Sequence, residues 1–143
     1  MANLLLVDDN PEAARPLAML LRFIKHQVDV VSSGDEAMAY LSDHLPDAVV
    51  LDVMMPGMDG MEVLRRIRSD VRTCRIGVVM FSAVSDPAYR AAAMSKGADD
   101  YVVKGSEFEE LRIRIERAAT MGHTPSQANL DCPSTDPSHP NYH

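Results

Sequence analysis

Five short apolar runs, each stopping abruptly at polar residues, constrain the fold of this chain more than any other feature. The first is Leu4-Leu5-Leu6-Val7, which ends at Asp8-Asp9-Asn10. Similar runs recur over residues 28–31, 48–51, 78–81 and 101–103. Runs of this length are too short for core helices. Their lack of alternation suits strands covered on both faces, as in a parallel sheet. Helical periodicity fills the gaps.

The first helix is expected over about residues 12–26, with Leu17, Leu20, Leu21 and Ile24 on its core stripe. Pro16 would cost little in a first turn but would remove a hydrogen bond further in, so the helix is expected to start later than Asn10 implies. Further helices are expected near residues 35–44, 61–69, 87–96 and 106–121. Gly97 terminates the fourth, and Ser106 with Glu109 three residues on reads as a capping box for the fifth. Phe108, Leu111, Ile115 and Ala118 would form the core stripe of that last helix, with Ile113 roughly opposite. Strands alternating with helices predict an α/β fold: a doubly wound, five-stranded parallel sheet, flavodoxin-like, with five helices, for which 2-1-3-4-5 is the preferred strand order.

Residues 1–121 are expected to form the folded domain. Residues 122–143 hold four of the nine prolines and neither Lys nor Arg, and read as a disordered polar tail. His123, His139 and His143 lack ligand spacing and read as solvated tail histidines. Cys74 and Cys132 show no metal or redox spacing, and no framework disulfide is expected. A net charge of −7 argues against nucleic-acid or acidic-membrane partners. No apolar run approaches the length of a membrane span, and the N-terminus lacks the basic region and cleavage site of a signal peptide. A cytoplasmic location is expected, with no appended DNA-binding module.

Several strands end in polar residues that do not belong in a core. Asp8 and Asp9 follow the first, Asp52 the third, Ser82 the fourth and Lys104 the fifth. In a parallel sheet of this order all of them emerge at one edge. Three carboxylates brought together repel unless a cation neutralises them, and Mg2+ suits a few carboxylates with water and phosphate. A lysine and a hydroxyl beside them would bind a tetrahedral anion, and a carboxylate can attack phosphorus to give an acyl phosphate. Each residue singly could be a helix cap or strand end. Their arrival together at successive strand ends favours the chemical reading. FMN binding on a flavodoxin-like sheet is the competing chemistry, but Asp8-Asp9 would repel its phosphate.

At this point the chain resembles a two-component response-regulator receiver, of the stand-alone chemotaxis type, over about residues 3–120. The resemblance is carried by Leu5-Leu6-Val7-Asp8-Asp9-Asn10, by Asp47 with Leu51-Asp52-Val53-Met54-Met55-Pro56-Gly57-Met58-Asp59-Gly60, by Phe81-Ser82-Ala83, and by Gly97-Ala98-Asp99-Asp100-Tyr101-Val102-Val103-Lys104. It implies that Asp52 accepts a phosphoryl group from a sensor histidine kinase or a histidine phosphotransfer protein. It implies Mg2+ on Asp9, Asp52 and the Met54 backbone carbonyl, with Asp8 acting partly through water. Ser82 would hydrogen-bond the phosphoryl group, Lys104 would pair with Asp52 and then the phosphate, and Tyr101 would swing inward as Ser82 moves. Such a protein is not an enzyme of the usual kind: it catalyses its own phosphorylation and slow dephosphorylation and switches contacts with an unknown downstream protein. Met54 and Val84, apolar beside the acceptor, suggest slow decay of the phosphorylated form. Receivers usually carry proline after this lysine, and here Gly105 stands instead. That departure leaves room for the alternative of a phosphorylation-independent interaction module on the same fold.

Overall fold

The computed structural model describes residues 1–123. The chain alternates strictly: β1 (Asn3–Val7), α1 (Pro11–Phe23), β2 (Gln27–Val31), α2 (Gly34–Asp43), β3 (Ala48–Leu51), α3 (Gly60–Ser69), β4 (Gly77–Ser82), α4 (Pro87–Ser95), β5 (Asp100–Val103) and α5 (Phe108–Met121). All strands are parallel, as the apolar runs predict, and lie in the preferred order β2-β1-β3-β4-β5.

The sheet buries both faces. Leu5, Val7, Val49, Leu51, Val78 and Met80 point to one side, where α2, α3 and α4 contribute Leu41, Val63, Leu64, Ile67 and Ala93. Leu4, Leu6, Val50, Val79 and Val102 point to the other, against Leu17 and Leu21 of α1 and Leu111 and Ile115 of α5. This two-sided burial explains why β1, β3 and β4 read as unbroken apolar runs, whereas β2, at the edge, carries exposed Asp29 and buries only Val28. Each fully buried leucine or valine stabilises the fold by about 1.5–3 kcal/mol over its exposed state. Helix α4 is the exception, with Ala93 its only buried residue.

Helix boundaries depart from the sequence expectation in instructive ways. Asn10 caps α1 after all, its side chain accepting from the Glu12 N–H, and Pro11 takes the first helical position. Pro16 therefore lies inside the helix, on the exposed side, where water can replace the hydrogen bond it forfeits. Leu20 is on that exposed side as well, with Met19 and Phe23, rather than in the core stripe. The Ser106–Glu109 capping box does not form. Helix α5 begins two residues later, with Glu107 at its N-cap and no side-chain cap bond. Ser106 instead closes a turn, its N–H donating to the Val103 carbonyl.

The base of the sheet, opposite the strand ends that carry the acidic residues, is held by polar contacts centred on buried Arg68. Arg68, 3 % exposed, donates to the carbonyls of Gly97, Cys74 and Ile76 and pairs with Asp99 at 3.0 Å. Asp99 also accepts from the Val78 N–H and meets His123 Nδ1 at 2.9 Å. His123 is therefore not a solvated tail residue: it is buried and fastened beneath the sheet. His139, His143 and the rest of the expected tail lie outside the described residues. Cys74 is disulfide-bonded, contrary to the expectation from spacing, and Cys132 lies outside the described residues. His26 adds a second base contact, bridging the Ala2 N–H and Glu116 of α5.

Candidate functional site

Parallel register delivers the polar residues to one edge. Val7 is level with Leu51, and Leu51 with Met80, so Asp8 and Asp52 leave the sheet side by side. The Asp52 N–H donates to the Val7 carbonyl at 3.0 Å, extending the ladder one step beyond β1. Ser82 pairs in register with Val103, and the Lys104 N–H donates to the Ser82 carbonyl at 2.7 Å.

Asp8, Asp9 and Asp52 each place a carboxylate oxygen within 4.8 Å of the others. Asp8 and Asp52 are buried and Asp9 is exposed. Lys104 reaches over from β5, its Nζ 2.7 Å from Asp8 and 3.2 Å from Asp52, with the Phe81 ring 5.9 Å beneath it. Backbone donors fix the carboxylates: the Asn10 N–H holds Asp8 and the Met54 N–H holds Asp52. Burial raises the Asp52 pKa above the usual aspartate value; the Lys104 ammonium pulls it back, and the Asp8 charge adds to the rise. For Lys104, burial works downward, but the hydrogen bond to Asp8 and the charge of Asp52 outweigh it and leave the ammonium favoured.

Three carboxylates against one ammonium leave two negative charges uncompensated in a partly buried pocket. An all-oxygen donor set of this kind fits a hard divalent cation, Mg2+ above all, and offers nothing to a soft one. The exposed oxygens of Asp9 lie on the solvent side, where such an ion would enter.

Ser82 is fully buried at the end of β4. Its Oγ accepts from the Val84 N–H at 3.2 Å, while the Val84 carbonyl accepts from the Tyr101 hydroxyl at 2.6 Å. The backbone of one residue, Val84, thus joins Ser82 to Tyr101 through its N–H and its carbonyl. Tyr101 already stands inward, 3 % exposed. Of the residues expected from sequence, Asp8, Asp9, Asp52 and Lys104 are in one cluster, and Ser82 and Tyr101 are joined on the adjacent strands. Met54, whose N–H holds Asp52, is 56 % exposed, and Val84 is half-buried.

Two contributors were not singled out by sequence. Asn10 both caps α1 and holds Asp8, and its place directly after the aspartate pair was the available signal. Gly60 packs the start of α3 against the backbone of Asp52: a Cβ there would overlap the Asp52 carbonyl oxygen and come within 2.9 Å of Val53 Cα. The Gly60 N–H donates to the Val53 carbonyl at 2.9 Å. The Lys104–Gly105 peptide is trans, as are the others among the described residues, and Gly105 adopts φ +101°.

The family model for the response regulator receiver domain matches residues 4–116. The transcriptional regulatory protein AfsQ1 of Streptomyces coelicolor is 36% identical over 126 residues, covering 88% of this chain and 55% of that protein. Among solved structures, the Vibrio cholerae chemotaxis protein CheY4 superposes with a TM-score of 0.77 at 26% identity, over 82% of this chain and 98% of that one. The receiver domain of a Pseudomonas aeruginosa sensor histidine kinase, solved with magnesium ion coordinated in the active-site cleft, gives a TM-score of 0.76 at 26% identity over 83% of this chain and 98% of that one. The chain spans about half the length of the curated relatives it matches.

Proposed function

This chain belongs to the response regulator receiver domain family, and from that premise we propose that Asp52 is its phosphoacceptor. The observation that carries the proposal is the Asp52 carboxylate, held by the Met54 N–H and flanked by Lys104 and two further aspartates at the strand ends.

One oxygen of Asp52 attacks phosphorus. The bond from phosphorus to the donor's leaving atom breaks, and the leaving group keeps that electron pair: an imidazole nitrogen of a phosphohistidine, or the acyl oxygen of acetyl phosphate. The new P–O bond makes an acyl phosphate. Asp8, Asp9, Asp52 and the Met54 carbonyl would hold Mg2+, which neutralises charge on the phosphoryl oxygens. Lys104, freed from one of its two carboxylate contacts, turns to a phosphoryl oxygen, and the Ser82 hydroxyl donates to another. Because Val84 bonds both Ser82 and Tyr101, movement of Ser82 is passed to Tyr101 and to the weakly packed α4.

The donor in this reading is a sensor histidine kinase or histidine phosphotransfer protein, and the output is an altered protein–protein contact. The receiver unit is residues 1–121, with Gly122 and His123 packed on its base. No described helix is long and apolar enough to cross a membrane, and the acidic composition together with a kinase donor suits a cytoplasmic setting. Lys104 contacting both buried carboxylates supports this reading over an interaction module indifferent to phosphate. Beryllofluoride with Mg2+, followed by the amide shifts of residues 82–104, tests it. Saturable shifts in the wild type that vanish in Asp52→Asn are expected. No shifts, or shifts that survive the substitution, would overturn it.

A further inference from the structure

Gly105 has φ +101°, while Lys104 before it is outside the left-handed region. The Ser106 N–H donates to the Val103 carbonyl at 3.1 Å, so residues 103–106 form a turn with positive φ only at its third position, the type II pattern. A Cβ at Gly105 would meet nothing within 4 Å. Glycine is therefore demanded here by backbone conformation and not by space.

The turn has little slack. Only Gly105, Ser106 and Glu107 separate Lys104 from the start of α5. Helix α5 is anchored by buried Leu111, Ile115 and Ala118. On the other side the Lys104 backbone is fixed to Ser82, and its ammonium reaches Asp8 and Asp52. An L-residue at position 105 pulls φ towards negative values. The helix cannot yield without uncovering its apolar stripe. Lys104, half-buried and held by polar contacts, is the weaker anchor and takes up the displacement.

We infer that Gly105 is a positioning residue for phosphoryl transfer, acting through Lys104: its left-handed turn aims the ammonium at the Asp8–Asp52 pair. The inference rests on Asp52 being the acceptor.

The initial rate of phosphorylation by acetyl phosphate with Mg2+, followed on phosphate-affinity gels, tests it in a set of full-length variants. Gly105→Ala lowers the rate about tenfold, since small misplacements of a reacting group cost that much or more. Gly105→Asn, larger but tolerant of positive φ, loses less than Gly105→Ala, and Gly105→Val loses most. In a Lys104→Met background Gly105→Ala changes the residual rate less than about twofold, because the effect has no route left. Thermal melts of each variant establish that it is folded. A Gly105→Ala rate equal to wild type, an order that follows side-chain size, or a loss that persists without Lys104 would overturn the inference. A wild type that forms no adduct would instead overturn the assignment of Asp52, and this inference with it.

Discussion

Replacing Gly60 by alanine tests whether close packing of α3 on the acceptor strand sets the site. The added methyl carbon would overlap the Asp52 carbonyl oxygen, lie 2.8 Å from its carbon and approach Val53 Cα at 2.9 Å. Ordinary carbon contacts start near 3.5 Å, so the N-terminus of α3 must move away from β3, or the peptide after Asp52 must rotate. Neither partner is a flexible side chain. Overpacking of this kind costs about 1–3 kcal/mol, and about 2 kcal/mol lowers the melting temperature by about 10 °C for a domain of this size. The same shift moves the Met54 N–H that holds Asp52, and a displacement on the order of 1 Å costs about a hundredfold in rate. Urea titration and acetyl-phosphate kinetics measure the two effects in the same preparation. Gly57→Ala is the control: φ there is +74°, but a Cβ meets nothing within 4 Å, so it carries only backbone strain and leaves the rate near wild type. A Gly60→Ala protein with wild-type stability and rate would refute the packing argument.

Three further outcomes follow from the same contacts. Asp52→Asn stabilises the protein at neutral pH without Mg2+: a raised folded pKa means its stabilising contribution is present below the unfolded value of about 3.9 and lost as pH rises through the folded value, so the ionised carboxylate is a net cost at pH 7. Urea midpoints should show that gain shrinking as pH falls towards 4, and a gain that grows on acidification would contradict it. Arg68→Met takes the guanidinium from half-buried Asp99 and the donor from three backbone carbonyls, and costs about 3 kcal/mol, read by chemical denaturation; a loss under about 1 kcal/mol would show the base contacts to be dispensable. Met54→Asn, placing a water-orienting amide beside Asp52, shortens the lifetime of the phosphorylated form, and an unchanged decay rate in a chase experiment would remove the reason given for slow turnover.

The strands and the acidic cluster were legible because both follow from short-range pattern, while the order of the strands came from the preferred topology of a doubly wound sheet. A strand buried on both faces has no polar positions until it ends, so Val7-Asp8, Leu51-Asp52 and Val103-Lys104 mark its exits in plain sequence. What was not legible depends on partners distant in the chain. His123 looked like a tail residue because its neighbours are polar, and only the fold brings Asp99 to it. Leu20 fits a helical core stripe by spacing, yet the sheet covers a narrower arc of α1 than the periodicity allows. The Ser106 capping signal was overridden because the chain needs Ser106 to close the turn that follows Lys104. Gly60 drew no separate reading, because its close approach to the Asp52 peptide exists only once α3 is docked.

The most direct test of the central claim is reductive trapping after phosphorylation. Protein treated with acetyl phosphate and Mg2+ is reduced with borohydride, which converts an aspartyl phosphate to homoserine, and is then digested and sequenced by mass spectrometry. The account predicts homoserine at position 52 alone, dependent on Mg2+. Homoserine at Asp8 or Asp9, or none at any aspartate, would contradict it.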